Sequence, residues 1–171
     1  MKTVAILAML LSLTVGAVAL AGNEEVIFEN NEYGGVTKQI TYSENDASFN
    51  QGMRKIVASY DNQGNKKKME VYATKDHSEK TGWYKKVIYY WGRKKVSEAY
   101  STDSDSAKYG FYKMVSYLDA GNRLERREYF LNEESLAAKL GVYKRVVHYD
   151  DNEKITRVED LDIQGNIVLI E

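Results

Sequence analysis

Apolar and polar residues alternate along most of this chain, and the same alternation returns in nearly the same letters. "GWYKKVIYY" from Gly82, "GFYKMVSYL" from Gly110 and "GVYKRVVHY" from Gly141 share one string, and "GMRKIVASY" from Gly52 shares most of it. Each opens with glycine and an apolar residue (Met53, Trp83, Phe111, Val142). A lysine follows two positions later (Lys55, Lys85, Lys113, Lys144), then a valine (Val57, Val87, Val115, Val146). A weaker copy starts at Gly35, with Val36, Lys38, Ile40 and Tyr42. The four clear glycines are spaced 30, 28 and 31 residues apart. A period of that size marks a repeated supersecondary unit. The period-two pattern and the wealth of valine and tyrosine predict that each string is a β-strand.

Turn residues follow every string: "DNQGN" at Asp61, "WG" at Trp91, "DAGN" at Asp119 and "DDNE" at Asp150. Asp, Asn and Gly suit hairpin turns because they accept positive φ or bond the local backbone. A second, charge-rich β-prone run comes next in each unit, so each unit reads as a β-hairpin. With turns centred on Asn62-Gln63, Trp91-Gly92, Ala120-Gly121 and Asp151-Asn152, lysine faces glutamate four times. The expected pairs are Lys55 with Glu70, Lys85 with Glu98, Lys113 with Glu128 and Lys144 with Glu159. Opposed unlike charges favour one register. One face should carry Trp83, Lys85, Val87 and Tyr89, and the other Tyr84, Lys86, Ile88 and Tyr90.

The links "SEKTG", "SAKYG" and "AAKLG" end in Lys-x-Gly. Each glycine is expected in the left-handed position that ends a short helical turn. In the longest link, Asn132 is placed as the N-cap. A further turn, "DIQGN" at Asp162, predicts a last strand over Ile167–Ile170.

The turn "YDNQGN" at Tyr60 and the "YDD" at Tyr149 resemble the YD (Rhs-type) repeat, whose signature is Tyr-Asp-x-x-Gly-Asn at a hairpin. The resemblance implies an extended β-sheet in a secreted or cell-surface bacterial protein. It carries no functional residues over, because the unit here is longer and the second unit lacks the motif.

The fold expected is therefore all-β: an antiparallel meander of repeated hairpins, ten to eleven strands, forming one strongly curved sheet with short helical turns between hairpins. The alternative is a closed calycin-like meander barrel. The repeat units lie near 52–81, 82–109, 110–140 and 141–171, with a degenerate unit at 26–51.

The N-terminus changes the setting. Lys2 precedes an apolar run, Val4–Leu20, that ends in Ala19-x-Ala21, the small-residue pattern of a signal-peptidase site. Residues 1–21 read as a signal peptide and 22–171 as a single domain with no membrane span. Removing 21 of the 171 residues leaves 150, with 23 basic and 25 acidic side chains after loss of Lys2. That balance lacks the basic excess a nucleic-acid partner requires. The chain has no cysteine and no Asn-x-Ser/Thr sequon, which suits a periplasmic or secreted bacterial protein.

Candidate chemistry is sparse. Without cysteine there is no thiol nucleophile or thiolate metal ligand. His148 occupies the slot of Tyr89 and Tyr117, His77 lies in a polar link, and Asp103 with Asp105 offers too few ligands for calcium. No catalytic, cofactor-binding or metal-binding residue is assigned, and no cofactor is expected. The remaining signal is aromatic: fourteen tyrosines and two tryptophans. Trp83, Tyr84, Tyr89, Tyr90, Trp91, Tyr112 and Tyr143 form the candidate partner-binding surface, because aromatic rings give contact area at low entropic cost. The function expected is an exported structural or binding module of the cell envelope, with protein or polysaccharide as partner. The alternative is a periplasmic small-ligand carrier. Intact-mass measurement of protein purified from the envelope fraction should give a chain that begins at Gly22; a mass that retains Met1–Ala21 refutes the processing.

Overall fold

The computed structural model describes the backbone of residues 17–21 and the chain from 24 to 169, with side chains from Glu25 onward. It contains eleven strands: β1 (Ala17–Ala21), β2 (Glu24–Asn30), β3 (Gly34–Tyr42), β4 (Met53–Asp61), β5 (Lys66–Ala73), β6 (Trp83–Trp91), β7 (Lys94–Ser101), β8 (Phe111–Leu118), β9 (Leu124–Leu131), β10 (Lys144–Tyr149) and β11 (Ile155–Leu161). They form one antiparallel sheet whose spatial order is the sequence order. The sheet is an open meander, so the calycin-like barrel is not adopted and there is no lumen. β1 falls within the expected signal peptide; the rest of that segment, and the residues flanking its cleavage point on the C-terminal side, lie outside the described residues. β2–β11 make the ten-stranded meander. The strand expected over Ile167–Ile170 is reduced, among the described residues, to one bridge between Leu161 and Ile167 and the bond from Val168 N–H to Asp160 C=O.

Four short helices connect hairpins at one end of the sheet: α1 (Ala47–Asn50), α2 (Lys75–Thr81), α3 (Asp103–Tyr109) and α4 (Leu136–Lys139). Thr74, Thr102 and Ser135 cap α2, α3 and α4 by accepting from His77, Asp105 and Ala138 N–H. Ser135 therefore replaces the expected Asn132 cap. Asn132 instead holds the link, accepting from Glu134 N–H and donating to Ser106 Oγ. Gly82 and Gly110 end their helices with φ of +78°, and Gly141 follows α4 at +86°, as the Lys-x-Gly pattern predicts. Each link is also tied back to the glycine that opens the same hairpin. Thr74, Thr102 and Asn132 N–H donate to the carbonyls of Gly52, Gly82 and Gly110 at 2.9, 3.1 and 2.8 Å.

The hairpin register differs from the sequence expectation by two residues in every unit. Glu70, Glu98, Glu128 and Glu159 stand opposite Val57, Val87, Val115 and Val146. Lys55, Lys85, Lys113 and Lys144 stand opposite Tyr72, Tyr100, Phe130 and Leu161. The turns explain the offset. Three of them have three-residue loops closed by Asp61 with Asn65, Asp119 with Arg123 and Asp150 with Lys154. The third loop residue, Gly64, Asn122 or Glu153, is left-handed, and a bulge follows in the ladder. Loop and bulge each move the register by one. In the remaining hairpin the turn is Gly92-Arg93, closed by Trp91 opposite Lys94, with only Gly92 at positive φ. A shift of two leaves every side chain on its expected face, so lysine and glutamate still share one.

A second set of bulges, where β6 and β8 begin, does change faces. The ladder slips between Trp83 and Lys85, and between Phe111 and Lys113. Trp83 and Phe111 thereby leave the lysine face, and Tyr84 and Tyr112 join it. Trp83 stands opposite Ser101 and Phe111 opposite Leu131.

The link glycines carry two separate demands. At Gly141 (φ +86°) nothing lies within 4 Å of an added Cβ, whereas at Gly52 (φ +91°) a Cβ would overlap the His77 ring. Left-handed backbone alone costs an L-residue about 1 kcal/mol. Urea unfolding should therefore show Gly141→Ala destabilised by about 1 kcal/mol and Gly52→Ala by clearly more; equal losses would show that the His77 contact does not matter.

Candidate binding surface

The lysine face is built of straight rows that cross the strands. One row reads Val57, Glu70, Val87, Glu98, Val115, Glu128, Val146, Glu159 from β4 to β11. The next reads Lys55, Tyr72, Lys85, Tyr100, Lys113, Phe130, Lys144, Leu161. Alternation follows from the repeat: each hairpin's first strand supplies Lys and Val, and its second supplies an aromatic or Leu and Glu.

The ion pairs therefore run diagonally, from each hairpin to the one before. Lys85 Nζ lies 2.7 Å from Glu70, Lys113 2.8 Å from Glu98 and Lys144 3.3 Å from Glu128. Lys55 has no earlier glutamate of the repeat to meet and lies over the Tyr72 ring, 4.6 Å from its centroid. Tyr72 and Tyr100 donate their hydroxyls to Glu70 and Glu98 at 2.6 Å. Phe130 has no hydroxyl, and Glu128 takes Arg126 as its further partner at 3.2 Å. Glu159 bonds His148 Nε2 at 3.0 Å and Arg157 at 2.9 Å. The valines between the glutamates are buried, and Glu128 is the buried acid of the row.

Electrostatics at Glu70 illustrate the balance. Desolvation pushes its carboxyl up, but hydrogen bonds from Lys68, Lys85 and Tyr72 outweigh it and hold the pKa at about 2. Desolvation, followed by the bond to Glu98, raises the Tyr100 phenol well above its ordinary value. Burial and then the Tyr143 hydroxyl push Tyr112 up to about 12. At neutral pH these phenols stay protonated and act as donors.

The structure divides the seven candidate aromatics. Tyr84, Tyr89, Trp91, Tyr112 and Tyr143 lie on the lysine face, and Trp83 and Tyr90 lie on the other. Tyr84, Tyr112 and Tyr143 occupy the same position in three successive hairpins and are 47, 40 and 38% exposed. Alternate strands place their backbones about 9.6 Å apart, two strand spacings. Tyr112 and Tyr143 meet at their hydroxyls, 3.4 Å apart, on either side of Phe130. Tyr84 leans on Tyr100, with centroids 6.4 Å apart. At the other end of the strands Tyr89 stacks on Trp91, planes 15° apart. Between the two groups lies a depression of about 320 Å³ spanning four strands, with Val115, Glu98, Lys113 and Glu128 among its lining residues. Tyr100, Tyr117 and Phe130 belong to this surface and were not among the candidates. Aligning the second strands of the hairpins, where Tyr72, Tyr100 and Phe130 share one slot, would have found two of them.

The other polar candidates have local duties. Asp103 and Asp105 sit in the first turn of α3, where Asp105 accepts from the Thr102 hydroxyl at 2.7 Å. His77 sits in α2 with its ring edge-on to Trp83 at 5.3 Å. No family model, no curated protein and no solved structure matches this chain.

A double-mutant cycle tests the diagonal pairing. At pH 7, Lys85→Met with Glu70→Gln should show a coupling of about 1 kcal/mol in urea unfolding, larger than for Lys55→Met with Glu70→Gln. The folded pKa of Glu70 is depressed, so its contribution is complete above the unfolded value near 4.5 and disappears as pH falls through about 2. A coupling that is equal for both lysines, or unchanged at pH 2, refutes the assignment.

Proposed function

We propose that this protein is an exported, non-enzymatic binding module of the bacterial envelope that holds an extended polysaccharide on its lysine face. The observation that carries the reading is the ladder of exposed Tyr84, Tyr112 and Tyr143 above rows of ion-paired lysine and glutamate. This floor holds its glutamates in ion pairs, with Lys68 joining Lys85 at Glu70 and Arg126 joining Lys144 at Glu128, and its excess of basic groups suits a neutral or acidic glycan. Its carboxylates keep further lone pairs for hydroxyl groups. Tyrosine rings repeated at every second strand suit a ligand that is itself periodic, and a linear glycan repeats on a comparable length. The preference for glycan over protein rests on that periodicity.

Export is supported by the leader-like Met1–Ala21 and by a cysteine-free, near-neutral composition. The turns support kinship with YD-type surface repeats. Asp61, Asp119 and Asp150 each accept, through Oδ1, backbone N–H groups two and four residues on, and Asp162 accepts the one four residues on.

Co-sedimentation of the chain from Gly22 with insoluble envelope and plant polysaccharides, including peptidoglycan, is the test. At about 1 kcal/mol per ring, the combined Tyr84→Ala, Tyr112→Ala and Tyr143→Ala variant should bind about a hundredfold more weakly with its thermal unfolding cooperative. Undiminished binding by that variant, or no retention of the unaltered protein on any glycan, overturns the proposal.

A further inference from the structure

The face opposite the lysine rows carries an apolar row, and one residue breaks its pattern. A row across β2 to β8 reads Val26, Ile40, Ile56, Val71, Lys86, Ala99, Met114. Lys86 therefore stands between Val71 and Ala99, with apolar residues along the row on either side. The equivalent position in the other hairpins holds Ile56, Met114 or Arg145. Arg145 is matched by a bidentate bond to Asp160, at 2.7 and 2.8 Å, on the strand opposite. The position facing Lys86 is Ala99. Among the described residues, no carboxylate lies within 4 Å of Lys86 Nζ, whose one described partner is the Trp83 ring, 4.1 Å from its centroid. Burial lowers its pKa below the ordinary lysine value.

Beside this lysine is a cavity of about 290 Å³, whose walls include Trp83, Ala99, Tyr109, Phe111 and Met114. The bulges that turn Trp83 and Phe111 onto this face build it, and α3 supplies Tyr109. A half-buried cation without a counter-ion carries part of a desolvation cost that an incoming anion would relieve. Apolar walls favour a ligand whose remaining body is hydrocarbon. The volume equals that of about ten waters, room for about ten heavy atoms.

We infer that this cavity binds a small amphiphilic carboxylate, its head group on Lys86 Nζ and its apolar body against Trp83, Phe111 and Met114. The site is on the opposite face from the tyrosine ladder, and the inference does not depend on glycan binding.

Octanoate is the probe and octanol its uncharged counterpart. In a Trp91→Phe background the tryptophan emission comes from Trp83 alone, since the chain has two tryptophans. Octanoate should change that emission saturably and bind at least tenfold more tightly than octanol. Lys86→Met is the informative variant, because methionine already fills the equivalent position at Met114 and should preserve folding. It should bind octanol as before and lose the preference for octanoate. No saturable response to octanoate, equal affinity for the two probes, or a preference that survives Lys86→Met would each overturn the inference.

Discussion

A sheet one layer thick must bury its apolar residues without a second layer to bury them against. Every substantial contact between elements joins neighbours in sequence, and the main helix contacts are with the strands they connect. Among the described residues the buried apolar ones are accordingly small, all valine and alanine. Long neighbours on the same face cover them. Lysine and arginine stems and tyrosine rings lie along the surface with their polar ends in water. This explains why a chain with 29% charged residues can form a sheet, and why valine and glutamate can alternate in one row. Each valine sits among long side chains that are themselves fixed by ion pairs.

The same constraint makes the protein quasi-one-dimensional. Stability is a sum of hairpin terms and of seams between hairpins, as in solenoid repeats. The seams carry the diagonal Lys–Glu pairs and the aromatic contact between Phe130 and Tyr143, while the bonds from Thr74, Thr102 and Asn132 close each hairpin on its own opening glycine. Lys55 shows what happens where the partner is missing: the cation turns to the Tyr72 ring.

Strands, turns and link glycines were legible because each rests on local chemistry. Period-two patterning, Asp-rich turns and left-handed glycine need no distant partner. Register was not legible, because Gly64, Asn122 and Glu153 act as third loop residues followed by a bulge, and a two-residue turn fits the same letters. Opposed lysine and glutamate looked decisive, yet a pair two residues out of step on one face can still bond diagonally. Facing was lost where a bulge enters β6 and β8: nothing in "GWYKK" announces that Trp83 and Tyr84 exchange sides. The cap at Ser135 was missed because Asn132 is an equally good capping residue, and it is drawn instead to Ser106 in another link. Of the candidate aromatics, five share the lysine face, and the cavity beside Lys86 depends on the two bulges and could not be read from spacing.

The strict sequence order of the strands has a mechanical consequence. The first and last strands lie at opposite edges, so tension applied between them acts along the inter-strand hydrogen bonds and not along the strands. Such a load opens a seam like a zipper, one pair of bonds after another, and never has to shear a whole ladder at once. The array would yield hairpin by hairpin at low force, and each released segment would add length before the next seam is loaded. Under the function proposed above, the protein would thus behave as an extensible tether.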